Sequence, residues 1–103
     1  MTYKIIVSKD ANRDIDEIVS YIVHELKNTR AAMSFLDGVE KSYTGITENP
    51  FMYSLCNDAR LYKEGYRKIV IKNYLIFYRV DENQKSVFIV RVLYGARDYS
   101  NLF

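Results

Sequence analysis

Basic side chains are the residues of this sequence best suited to chemistry, because they are concentrated in its second half. Residues 1–60 contain 7 basic and 9 acidic side chains, whereas residues 61–103 contain 8 and 4, so the two segments carry −2 and +4. Such a basic segment attracts an acidic partner, either nucleic acid or protein, although lysines on a sheet are also simply solvated. The cations on or beside the predicted strands are Lys63, Arg67, Lys68, Lys72, Arg79, Arg91 and Arg97.

Other kinds of reactive centre find little support in the sequence. His24 and Cys56 are each the only residue of their type, so no pair has the spacing of metal ligands. His24 lies off the apolar stripe of its helix, and nothing near Cys56 in sequence would stabilise a thiolate, which favours surface and packing roles. Only four glycines occur, and none forms a phosphate-binding loop. We therefore expect neither a metal nor a cofactor.

Size and composition favour a single domain spanning residues 1–103. The chain is 49% hydrophobic, enough for a modest core without a disulfide. It has one cysteine, no apolar segment suited to export in its first residues, and no apolar run near the ~20 residues of a membrane span. We expect a cytoplasmic protein that does not enter a membrane.

Two amphipathic helices are predicted in the first half of the chain. Apolar residues recur at three- and four-residue spacing over residues 11–26 and again over residues 32–46. Ser8 can cap the first helix, and Asn28 or Thr29 the second, because a short side-chain oxygen accepts the free amides of the first turn. A Glu-Asn-Pro sequence ends the second helix. The two helices should form an antiparallel hairpin.

The second half of the chain is predicted to form strands. Residues 51–65 show no sustained period and indicate a connecting loop, whereas β patterns follow at 66–71, 74–80 and 86–94. Short polar turns separate these three strands, which should form an antiparallel meander. A short alternating segment at residues 3–7 predicts a further strand at the start of the chain. The fold class is therefore α+β, in the order strand, helix, helix and three strands.

One face of this sheet should remain partly open, since two adjacent helices can cover only the other. An open face that is apolar with cationic points can hold RNA through its phosphates or dock an amphipathic helix, and the pattern does not choose between them. Strict alternation in the last strand places Arg91 on one face with Val87, Ile89 and Leu93, opposite Phe88, Val90 and Val92.

Several segments carry a family resemblance when they are taken in order. They are “ANRDIDEIVSYI” and “AAMSFLDGVE” in the two helices, then “ENP”, and above all “NYLIFYRVDE” followed by “VFIVRVLYGARDY”. Together with the order of elements, they resemble the RelE/ParE superfamily of bacterial toxins over almost the entire chain. The resemblance implies the RelE/ParE fold, the toxin half of a type II toxin–antitoxin pair, and an antitoxin that wraps the toxin with a helix or extended segment.

One branch of this superfamily, the RelE type, cuts mRNA in the ribosome. Its members use strand lysines and arginines with a C-terminal tyrosine or histidine, since attack by a 2′-hydroxyl needs a proton acceptor and cations that hold the phosphate. Carried over, Lys68 fits the first strand lysine and Arg97 the late arginine, with Arg67 and Tyr99 as substitutes for the rest. Phe103 fits the last aromatic position in closer register than Tyr99 but has no hydroxyl.

Two cationic positions of the RelE pattern are apolar here, namely Val70 and Leu75. The ParE branch binds DNA gyrase without cutting RNA, and the apolar “YLIFYRV” strand and “RVLYGARD” ending resemble it more closely. A decayed toxin that only binds antitoxin is a third possibility. The residues predicted to meet the target are Arg91, Arg97, Asp98 and Tyr99.

Gly95 is predicted to turn the chain out of the sheet, because a residue without Cβ adopts the required backbone easily. Arg97 would then stand at the mouth of the open face. The alternative is that Arg97 pairs with Asp98 or with a helix carboxylate and pins the end of the chain.

Overall fold

The structure, a computed structural model, describes residues 2–95. Its elements in chain order are β1 (Lys4–Val7), α1 (Lys9–Ser20), a π-helical turn (Tyr21–Glu25), α2 (Thr29–Glu48), α3 (Ala59–Lys63), β2 (Arg67–Ile71), β3 (Tyr74–Asp81) and β4 (Ser86–Tyr94). The predicted order of strands and long helices is confirmed, with α3 and the π-helical turn added. Among the described residues, no helix has both the length and the apolar character needed to cross a membrane.

Both long helices begin at side chains that satisfy free backbone amides. The Ser8 hydroxyl oxygen accepts a hydrogen bond from the Ala11 amide, and the Asn28 side-chain oxygen accepts one from the Ala31 amide, each at 3.0 Å. A cap of this kind stabilises a helix by about 1 kcal/mol. Both predicted caps are confirmed, with Asn28 rather than Thr29 in the capping position of α2.

The four strands form one mixed sheet in the order β1-β4-β3-β2. The strands β2, β3 and β4 are successively antiparallel, which confirms the meander, whereas β1 runs parallel to β4. The last described strand therefore lies in the interior of the sheet, between the first strand of the chain and β3. The α+β fold class is confirmed.

The main core lies between the helices and one face of the sheet. The Tyr78 ring at its centre is fully buried, and its hydroxyl donates a hydrogen bond of 2.8 Å to the Pro50 carbonyl oxygen, so no polar group of this side chain is left unsatisfied. The buried members of this core are Ala11, Ile18, Ile22, Ala32, Phe35, Val39, Ile46, Ile69, Tyr74, Ile76, Tyr78, Val87, Ile89 and Val92.

The short helix α3 covers part of the opposite face, within the segment predicted to be a loop. The Asp58 carboxylate begins this helix by accepting hydrogen bonds from two amides of its first turn, at 3.0 and 3.1 Å. Leu61 and Cys56 are buried against Phe77 and Leu93 in a second, smaller cluster. The loop prediction is wrong for these five helical residues, which are too few to show a helical period. The packing role of Cys56 is confirmed.

A bulge interrupts the pairing of β3 with β4. Tyr78 is paired with Ile89, but its neighbour Phe77 is paired with Arg91, so Val90 is an extra residue on β4. After Val90, each side chain of β4 therefore points to the face of the sheet opposite to the one that unbroken alternation would give. The predicted strict alternation is wrong for this reason, because the main core contains Val87, Ile89 and Val92 together.

Candidate interaction site

The cations predicted to meet a target are divided between the two faces of the sheet. Arg67 and Lys68 are consecutive on β2, so their side chains project to opposite faces. Lys68 is paired in register with Phe77, and Phe77 with Arg91. At ordinary strand spacing, the Cα atoms at the two ends of this row are roughly 10 Å apart. The structure thus brings Lys68 and Arg91 onto one row and leaves Arg67 outside it.

Arg67 is held by the loop that follows α2. Its Nη1 donates a hydrogen bond of 2.6 Å to the Tyr53 carbonyl oxygen, and its guanidinium carbon lies 5.0 Å from the centre of the Phe51 ring. A cation over an aromatic face is attracted by the ring quadrupole. These two contacts fasten the loop to β2 and give Arg67 a structural role.

Arg91 is tied to α1 by a two-pronged ion pair with Asp14. The arginine Nε and Nη2 donate to the two carboxylate oxygens at 2.7 and 2.8 Å, and the Val92 amide donates to the same carboxylate at 2.9 Å. Only 21% of the Arg91 side chain and 10% of the Asp14 side chain are exposed. Hydrogen bonding to Asp14 raises the pKa of Arg91. The pair lies past the end of β1, so α1 supplies an acceptor to the edge of β4 that β1 no longer covers.

The sequence contains a signal for this ion pair that the sequence analysis missed. Asp14 lies three residues after Ala11 and four before Ile18, which is an apolar position of the α1 stripe. A carboxylate at such a position is buried when the helix packs, and a buried charge requires a partner. The partner itself, 77 residues away, is not indicated by any local pattern.

The next set of residues paired across β2, β3 and β4, on the same face of the sheet as Lys68 and Arg91, is apolar. Val70 is paired with Leu75, and Leu75 with Leu93. Val70 is 64% exposed, whereas Leu93 is buried beneath α3 in the second cluster. The two positions where the RelE pattern has cations therefore adjoin each other as aliphatic side chains, and Val70 offers apolar surface to a partner.

Burial shifts the pKa of several tyrosine hydroxyls and of the cysteine thiol away from neutral pH. Burial raises the pKa of Tyr43 and Tyr78 to about 12 and also raises the pKa of Tyr74. A general base works best with a pKa near the operating pH. Burial also raises the pKa of Cys56, which keeps the thiol protonated. His24 is exposed, and residues 2–95 contain no group of three or more His, Cys, Asp or Glu side chains able to hold a metal.

The C-terminal candidates lie outside the described residues, namely Arg97, Asp98, Tyr99 and Phe103. Gly95 directly follows β4 and is the last described residue. It has a φ of 85°, and its amide donates a hydrogen bond of 2.6 Å to the Asn73 carbonyl oxygen. Glycine adopts this left-handed backbone without a steric penalty. The left-handed backbone that favours glycine is observed at Gly95, whereas the path and the roles of the residues after it stay predictions.

A second surface, which the sequence analysis did not identify, lies beside α2 on the helix side of the sheet. It is a cavity of about 600 Å³ at the β2–β3 turn, and we call it the α2 groove. Its walls include side chains from α2, the π-helical turn and three strand ends. The apolar lining is formed by Ile22, Phe35, Ile71, Tyr74 and Tyr94, and the exposed cations at its margin are Arg30, Lys41 and Lys72.

Gly38 allows the floor of the α2 groove to form. A Cβ at this helical position would collide with the Tyr74 hydroxyl. The Tyr74 ring packs edge-on against Phe35, with ring centres 4.6 Å apart and an interplanar angle of 77°. The sequence signal for this contact was a glycine inside a helical pattern. Glycine lowers the stability of a helix by about 1 kcal/mol relative to alanine, so a glycine at such a position indicates close packing.

Comparison with known protein families shows which family this chain belongs to. Residues 5–99 match the ParE toxin of type II toxin-antitoxin system, parDE. This chain belongs to the ParE toxin family. The match begins within β1 and extends past β4, so it reaches every described strand of this type II toxin. The predicted membership of the RelE/ParE superfamily is confirmed.

Solved structures show that this ParE-family toxin has the RelE/ParE fold. The chromosomal ParDE system of P. aeruginosa is 14% identical, with a TM-score of 0.71, covering 92% of this chain and 98% of that chain. The toxin–antitoxin complex RelBE2 of Mycobacterium tuberculosis is 19% identical, with a TM-score of 0.64 and coverage of 91% and 99%. The isolated E. coli RelE toxin is 19% identical, with a TM-score of 0.59 and coverage of 97% and 94%. No curated protein matches the chain in sequence.

Proposed function

We propose that this ParE-family toxin inhibits growth by binding DNA gyrase and is neutralised by a cognate antitoxin. The observation that carries the proposal is the aliphatic pair Val70 and Leu75, which adjoin each other at the two positions where the resemblance to the RNA-cutting branch would place cations. Exposed aliphatic surface suits a protein partner, whereas cleavage of RNA requires positive charge around the phosphate.

The energetics of RNA cleavage support the same choice. A single preorganised donor at a developing negative charge contributes ~3–4 kcal/mol to the transition state, so the absence of two slows the reaction about 10⁴-fold or more. Arg67 and Arg91 do not replace them, since Arg67 binds the Tyr53 carbonyl oxygen and Arg91 binds Asp14. Binding to gyrase requires no such catalytic set.

The experiment that tests the target is a supercoiling assay with purified toxin, DNA gyrase and plasmid DNA. We expect lost supercoiling and trapped cleaved DNA, without cleavage of RNA. Val70→Asp should weaken inhibition because it places a charge on the exposed aliphatic surface. Thr44→Asp, at an exposed position of α2, is the matched control and should inhibit like the natural chain. Absence of any effect at a stoichiometric excess of folded toxin would contradict the proposal.

Cleavage of mRNA on the ribosome is the second candidate function, favoured by the row that unites Lys68 with Arg91. In this case Lys68 and Arg97 hold the phosphate and Tyr99 accepts the proton. A ribosome translating a defined mRNA should then yield cleavage in the A site, and Arg97→Ala should abolish it. Cleavage that survives Arg97→Ala would count against this assignment of roles.

The antitoxin is the partner that controls this toxin. Support comes from the two similar structures that are described as toxin–antitoxin systems, ParDE of P. aeruginosa and RelBE2 of Mycobacterium tuberculosis. We expect the small protein encoded in the neighbouring reading frame to co-purify with the toxin and to relieve its toxicity. A neighbouring protein that does neither would remove the main support for regulation by an antitoxin.

A further inference from the structure

We infer that the α2 groove binds a segment of the antitoxin that carries an aliphatic side chain flanked by carboxylates. The inference rests on the proposed antitoxin and names the surface and the chemistry by which this toxin recognises it. Three features of the groove support it, namely its volume, its apolar floor and the charge of its margin.

The groove has room for side chains of a partner. Its volume of about 600 Å³ is within the ~300–1,000 Å³ range typical of binding pockets. Ile71 and Tyr94 are only half-buried, so apolar surface remains available beside the buried rings of Phe35 and Tyr74. An aliphatic side chain placed there would exclude water from this surface, which favours binding.

The floor of the groove suits an aliphatic side chain better than a nucleic acid base. Bases bind single-stranded sites by stacking on exposed aromatic faces. Here Phe35 and Tyr74 are 5% and 6% exposed and pack edge-on against each other. Their faces are therefore not available as a stacking platform, although the margin of the groove is basic.

The margin of the groove carries positive charge that is only partly neutralised. Lys41 is paired with Asp37 at 3.1 Å, with both side chains largely exposed. Within residues 2–95, the side chains of Arg30 and Lys72 form no ion pair or hydrogen bond. Carboxylates of a bound segment would complement these two cations and fix its orientation.

Charge reversal provides the first test. The dissociation constant is measured by calorimetry for the antitoxin encoded in the neighbouring reading frame and the double variant Arg30→Glu, Lys72→Glu. Lys9→Glu is the matched control, because Lys9 is also exposed in the first turn of a helix but lies away from the groove. We expect the double variant to bind about tenfold more weakly or worse, and the control to bind like the natural chain. The difference should shrink in high salt, which screens exposed charges.

A steric change provides the second test, which does not depend on charge. Ser34 lines the groove at an exposed helical position, so Ser34→Trp fills the groove without disturbing the core. Thr44→Trp is its control on the same helix. We expect Ser34→Trp to weaken antitoxin binding about tenfold or more and Thr44→Trp to leave it unchanged. Unfolding curves that match the natural chain establish that each variant is folded.

The outcomes separate this inference from the proposed function. If the natural toxin binds the antitoxin and the groove variants bind it equally well, the groove is not the antitoxin site and the inference is wrong. If the groove variants keep antitoxin binding but lose inhibition of gyrase, the groove belongs to the target, which also overturns the inference. If the natural toxin binds no antitoxin in this assay, the proposed function itself fails, and the inference with it.

Discussion

Removing Asp14 should destabilise this toxin far more than removing a charge from its surface. In Asp14→Ala, the Arg91 guanidinium loses the carboxylate that accepts from its Nε and Nη2, and the Val92 amide loses its acceptor. The variant leaves a charge and a backbone donor in a site where the original carboxylate was 10% exposed. Each group then loses its partner without regaining full hydration.

The magnitude follows from the burial of the two partners. Breaking a fully buried ion pair costs about 3–5 kcal/mol, and a buried unsatisfied amide adds about 1 kcal/mol. Because 21% of the Arg91 side chain is exposed, water can hydrate part of its guanidinium and reduce the first cost. We expect the free energy of unfolding to fall by about 3 kcal/mol and the Tm by roughly 15 °C for a domain of this size.

Urea denaturation of a double-mutant cycle measures this contribution. Asp14→Ala and Arg91→Ala should each be destabilising, and the double variant should be less unstable than their sum by roughly 1–3 kcal/mol. The control is Asp10→Ala, which breaks an exposed contact of 3.8 Å with Arg13 and should cost no more than about 0.5 kcal/mol. A loss below about 1 kcal/mol for Asp14→Ala, or strictly additive effects in the cycle, would refute the reasoning.

Three further predictions follow from the buried side chains. Burial raises the pKa of the Tyr78 hydroxyl to about 12, so as the pH rises above ~10 this hydroxyl loses its proton in the unfolded chain before it does so in the folded protein. The free energy of unfolding should therefore fall by about 1.4 kcal/mol at pH 11. Unfolding by urea between pH 8 and 11 should therefore show a weaker pH dependence in Tyr78→Phe, and an unchanged dependence would contradict this. Cys56 should react with a thiol reagent such as DTNB only as the protein opens, so labelling that is fast in native buffer would show that the thiol is not buried. Leu61→Ala should lower the free energy of unfolding by about 2–4 kcal/mol because it leaves a cavity under α3, and a thermal unfolding curve close to that of the natural chain would show that α3 contributes little.

The parts of the fold that local patterns encode were predictable from the sequence. Ser8 and Asn28 mark the starts of the helices because capping depends on residues within one turn. The three strands of the meander follow from alternation and from the short polar turns between them. The parallel contact of β1 with β4 was not predicted, since it joins residues such as Lys4 and Ser86 that no local period connects.

The candidate site was less predictable because it depends on tertiary contacts. An extra residue at Val90 changes the phase of β4, and alternation alone cannot show where a bulge occurs. Arg91 was predicted from its charge and from alternation in the last strand, whereas its environment is set by Asp14 on a different element. The α2 groove requires Gly38 and Tyr74 to meet, and their approach follows from packing rather than from spacing in the sequence.

Because β4 lies in the interior of the sheet, the sheet of this toxin cannot be completed until β4 has been synthesised. At ordinary translation rates of ~5–20 residues per second, the residues that pair with β1 are made roughly 4–16 s after β1 itself. Until then β1 has no neighbouring strand in the sheet, and β3 has only β2 of its two neighbouring strands. A chain interrupted before residue 86 therefore lacks the strand that joins the two halves of the sheet. The sheet of this toxin is therefore completed only after β4 has been synthesised, which makes β4 the strand on which formation of the whole sheet depends.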